Sequence, residues 1–86
     1  MPPTQALQAL KDLAQTKETP ELFAALYELE KIPAADMTNE QKMIRAAISD
    51  TITERHNISD TVGHLYTALE ITYLEALEIA YTSTQD

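Results

Sequence analysis

The sequence predicts an all-α fold, a compact bundle of four helices with a long C-terminal helix at its centre. Three observations predict it. The chain holds one glycine in 86 residues and no Asn-Gly or Asp-Gly pair, so tight hairpins lack their turn residues. Helix-start signals recur along the chain, and apolar residues repeat at intervals of three and four.

Met1–Thr4 reads as a short arm: Pro2 and Pro3 stop any earlier helix, and Thr4 can cap the next. The first helix is expected over Gln5–Gln15, with Leu7, Leu10 and Ala14 on one stripe and Ala6 and Leu13 beside it. Thr19-Pro20 marks the second start: a capping threonine, proline at the first helical position, then Glu21 in the first turn. That helix runs to Lys31 and buries Leu22, Phe23, Leu26 and Leu29, and Pro33 ends it.

Thr38-Asn39-Glu40-Gln41 is a capping box with glutamine at its fourth position. The third helix then carries Ile44, Ala47, Ile48 and Ile52 at helical spacing, with Met43 flanking. It ends near His56, where Arg55 and His56 suit the negative end of the dipole and Asn57 turns the chain. Ser59 is expected to cap a fourth helix reaching about Thr82. Ile71-Thr72-Tyr73 is β-prone, but its leucine, alanine and glutamate neighbours favour helix.

Size and charge exclude several classes of function. A chain of 86 residues supports one domain, spanning 1–86, with one small core. Fourteen acidic residues oppose six basic ones, a net charge of -8, which argues against direct binding of nucleic acid or an anionic membrane. No cysteine means no disulfide scaffold, thiol catalysis or cysteine zinc site. With neither a signal-peptide pattern nor a membrane-length apolar run, the expected location is the cytoplasm.

The fourth helix carries the functional signal. On a helical wheel Tyr66, Leu69, Tyr73, Ala76, Leu77 and Ala80 form one apolar arc, with Ile71 and Ile79 on the other side. From Asn57 onward there are five acids (Asp60, Glu70, Glu75, Glu78 and Asp86) and no lysine or arginine. Glu70, Glu75 and Glu78 would share an arc of about 140° and span about 12 Å of a continuous helix. Glu78 is placed in its last turns, against the dipole. Such a face either solvates the protein or meets a basic partner.

Catalytic constellations are poorly supplied. Asp60 and His64, with His56 or Glu54, fall short of a closed metal site, so neither metal nor cofactor is expected. Ser49, Ser59 and Ser83 lack a glycine-rich elbow or oxyanion motif, and Asp50 and Glu54 have no evident cleft. An enzyme is not expected. Residues 52–62 echo a helix-turn-helix, but the would-be recognition helix, Ser59–Glu70, has no basic residue and adds Asp60 and Glu70.

The stretch 43–50, Met-Ile-Arg-Ala-Ala-Ile-Ser-Asp, followed by Glu54-Arg55-His56, resembles small uncharacterised proteins of actinobacteria and their phages. The resemblance covers about a quarter of the chain and implies no activity, only an accessory gene on a mobile element. The expected function is non-enzymatic binding of a basic protein surface through Glu70, Glu75, Glu78, Ile71 and Ile79. Its most specific form is an anti-CRISPR-like or DNA-mimic inhibitor of a nucleic-acid-binding protein. The alternatives are a homodimer or structural module pairing through Tyr66, Leu69, Tyr73 and Leu77 and, less favoured, a helix-turn-helix regulator.

Overall fold

The computed structural model describes residues 3–85, and there the all-α expectation holds. Five α-helices follow one another: α1 (Pro3–Ala14), α2 (Thr19–Glu30), α3 (Asn39–His56), α4 (Ser59–Ala68) and α5 (Tyr73–Gln85), with a 3₁₀ turn at Ala34–Asp36. Of the expected arm, Met1 and Pro2 lie outside the described residues, and Thr4 is already inside α1. The chain divides into two compact units, Met1–Ile52 and Thr53–Asp86, with the boundary inside α3.

In the first unit, α2 starts one residue earlier than expected. Glu18 holds the extended cap position and accepts the Leu22 amide at 3.1 Å through its carbonyl, while the buried Thr19 opens the helix. Leu22, Phe23 and Leu26 are buried and Leu29 half-buried, as a one-sided amphipathic helix requires. Ala14, Met37, Ala47, Ile48 and Ile52 complete the core.

The start of α3 is the expected capping box. The Thr38 amide donates to Gln41 Oε1 at 2.9 Å, and the Gln41 amide donates to Thr38 Oγ1 at 3.1 Å. Further along, α3 is buried on several sides: Ser49, Thr51 and Thr53 are as hidden as Ala47, Ile48 and Ile52. Thr51 tolerates this because its hydroxyl donates to the Ala47 carbonyl at 2.8 Å, within its own helix. The many-sided burial expected of a central C-terminal helix is found here instead.

In the second unit, Asn57 ends α3 in the left-handed conformation at φ 54, and the Ile58 amide closes back onto the Thr53 carbonyl at 3.0 Å. This six-residue closure is a Schellman motif, with Ile58 buried beneath it. Ser59 does not cap α4; Ile58 occupies that position without a side-chain bond.

The long C-terminal helix is corrected by the structure. It is two helices, α4 and α5, packed against each other. α4 stops when Glu70 turns left-handed at φ 54, just after the Leu69 amide bonds the Leu65 carbonyl at 3.0 Å. α5 then starts on a second capping box: the Glu75 amide donates to Thr72 Oγ1 at 3.1 Å, and the Thr72 hydroxyl donates to Glu75 Oε1 at 3.1 Å. The Thr72 amide reaches the same carboxylate at 3.5 Å. Ile58, Val62, Ala76, Leu77 and Ala80 are the buried apolar residues of this unit.

Candidate docking surface at the α4–α5 elbow

The break between α4 and α5 redistributes the residues that a continuous helix would have aligned. Ala76, Leu77 and Ala80 have no exposed surface. Leu77 is therefore core and cannot pair subunits as the sequence suggested. Tyr66, Leu69 and Tyr73, from the same expected stripe, stay outside with 49%, 54% and 42% of their surface exposed. Leu69 caps α4 just before Glu70 redirects the chain.

The two tyrosines meet across the elbow. Tyr66 lies in the last turn of α4, Tyr73 opens α5, and their rings pack edge to face with centroids 5.8 Å apart at 65°. Such a pair is favourable by about 0.5–1.5 kcal/mol beyond its burial and needs no third ring. Two exposed tyrosines and a leucine on one short segment form a concentrated apolar surface.

Gly63 lies one turn before Tyr66. It is the only glycine in the chain and sits in the interior of α4, where it costs roughly 0.5–1 kcal/mol relative to alanine. Nothing in the fold requires it: its φ is not positive, and an added Cβ meets no atom within 4 Å. The Thr67 hydroxyl donates to the Gly63 carbonyl at 2.9 Å, within the same helix.

The three glutamates no longer share one arc. Glu70 is the left-handed residue of the elbow, Glu75 is the capping carboxylate of α5, and Glu78 is half-buried one turn further on. The break moves Glu75 to a helix N-terminus, where the dipole favours a negative charge. It also places Glu78 mid-helix, since α5 runs on to Gln85, so the expected dipole penalty does not arise. Ile71 is half-buried in the link, and Ile79 is exposed on α5.

His56 and Tyr81 form a second aromatic contact in this unit, edge to face with centroids 4.9 Å apart at 66°. Desolvation by burial, then the neighbouring Arg55 guanidinium, lowers His56 below its ordinary pKa of 6.5. Asp60 and His64 acquire no further ligand: no group of three or more metal-ligating side chains is assembled among the described residues.

Sequence reasoning missed two things here, the Thr72–Glu75 box and the exposure of the tyrosines. The box was legible as Thr-x-x-Glu before an apolar run; the exposure was not, because it follows from where α4 stops. None of the described helices is long and apolar enough to cross a membrane. No protein-family model, curated protein or solved structure matches this chain.

Proposed function

We propose that this chain is a non-enzymatic protein-binding module that docks a basic protein surface onto the α4–α5 elbow. The observation that carries the proposal is the exposed Tyr66–Leu69–Tyr73 cluster in a segment without a cation. Aromatic residues that are large, rigid and exposed are typical interface anchors, and a charged rim steers the partner and sets its sign. Between Asn57 and Asp86 every charged side chain is acidic, histidine aside. Glu70 lies within the cluster in sequence and Glu75 just after it, and together they supply that rim.

In its specific form, the module acts in the cytoplasm as a phage or mobile-element inhibitor, anti-CRISPR-like or DNA-mimicking, occupying a basic site that otherwise holds nucleic acid. Acidity and small size support this form. Regular carboxylate spacing no longer does, since Glu70, Glu75 and Glu78 do not follow one helix. Self-association through Tyr66, Leu69 and Tyr73 is the second reading, favoured by the same exposed rings.

The test starts from a partner captured from lysate and then purified. Its affinity is measured across a salt series, with duplex DNA as competitor, for wild type and for Glu70→Gln/Glu75→Gln/Glu78→Gln. Glutamine suits the fourth position of a capping box, so this variant removes charge while keeping the start of α5. Binding that weakens steeply with salt, yields to DNA and drops in the neutralised variant supports the inhibitor form. An affinity indifferent to both salt and neutralisation sinks the basic-partner reading.

A further inference from the structure

Resting on that reading, we propose that the segment docking on the elbow bears arginine, its guanidinium stacking on the exposed Tyr66 ring while its chain passes over Gly63. Three observations converge on this. The two rings meet edge to face at 65°, and Tyr66 keeps 49% of its surface exposed, leaving aromatic surface for a planar cation. Guanidinium stacks on aromatic faces more readily than ammonium because it is flat and weakly hydrated. Glu70 has no hydrogen-bonding or ion-pair partner among the described residues, and a free carboxylate takes a guanidinium through two parallel bonds.

Gly63 supplies the third observation. Its missing side chain serves no turn and relieves no internal clash. A helix that keeps such a position bare, one turn from an exposed aromatic anchor, lets another backbone approach closely. Lysine would satisfy the charge of this surface but neither the flat rings nor the paired oxygens.

Nona-arginine and nona-lysine peptides, equal in charge, are the probes for the whole chain at low salt, followed by amide chemical shifts. Nona-arginine is expected to bind at least about threefold more tightly, moving the resonances of Gly63, Tyr66 and Tyr73. Tyr66→Leu keeps the apolar bulk and should erase the arginine preference while leaving the nona-lysine affinity nearly unchanged. Gly63→Ala should raise Tm by a few degrees yet weaken nona-arginine binding, two changes of opposite sign that a purely structural glycine cannot produce. Equal affinity for the two peptides overturns the inference and leaves the basic-partner reading standing. No salt-sensitive binding of either peptide overturns both. A dimer by sedimentation that Tyr66→Leu converts to monomer also overturns it, because a second copy then covers the rings. Unchanged binding in Gly63→Ala removes the close approach over α4.

Discussion

Thr72→Ala decides between one C-terminal helix and two by the sign of a single stability change. In a helix running unbroken from Ser59, Thr72 would be an interior position, and alanine there would stabilise by up to about 0.7 kcal/mol through propensity. In the structure Thr72 is the cap of α5. Its hydroxyl receives the Glu75 amide and binds the Glu75 carboxylate, both at 3.1 Å. Alanine removes both bonds and leaves an orphan amide in the first turn, a loss of about 1 kcal/mol. For a chain of this size that lowers Tm by about 4–8 °C. Thermal unfolding followed by far-ultraviolet circular dichroism reads it directly, with Thr72→Ser as the control that keeps an oxygen in place. A Thr72→Ala protein as stable as wild type, or more so, refutes the two-helix arrangement.

Three further outcomes are expected. Glu70 pays an αL cost of about 1–2 kcal/mol at φ 54, so Glu70→Gly should hold or raise Tm, whereas Glu70→Val should lower it; the reverse order would place the elbow elsewhere. Ile52 has no exposed surface, so Ile52→Ala should cost about 2–5 kcal/mol in urea unfolding, with Ile52→Val nearer 1; a loss below 1 for alanine contradicts its position in the core. His56 titrates below its ordinary 6.5, so the unfolded chain binds the extra proton and stability falls as pH drops from above that value toward the lower folded pKa. Wild type should therefore lose more stability than His56→Phe over that window, and parallel profiles would show that His56 is not desolvated.

The helices of the first unit were largely legible because their signals are local. The Thr38–Gln41 box is complete in four consecutive residues and forms as written. Asn57 turns the chain because a short amide side chain tolerates the left-handed region that β-branched residues avoid. The stop at Glu70 was harder to read. No glycine, asparagine or proline marks it, and the apolar period continues across it, so a helical wheel drawn through residues 59–82 looks regular.

The sequence by itself determined that the chain is helical, where four of its five helices begin to within about two residues, and that its last third carries acid without lysine or arginine. Those properties reside in backbone propensity, capping and composition, each settled within a few residues. Tertiary structure alone decided which apolar side chains are core and which are surface. Ala76, Leu77 and Ala80 are sealed because α5 folds back on α4, while Tyr66, Leu69 and Tyr73, from the same predicted stripe, are stranded at the elbow. A wheel assigns residues to faces only while the helix continues. Once Glu70 turns the chain, burial depends on the packing of two separate helices, which no local pattern encodes.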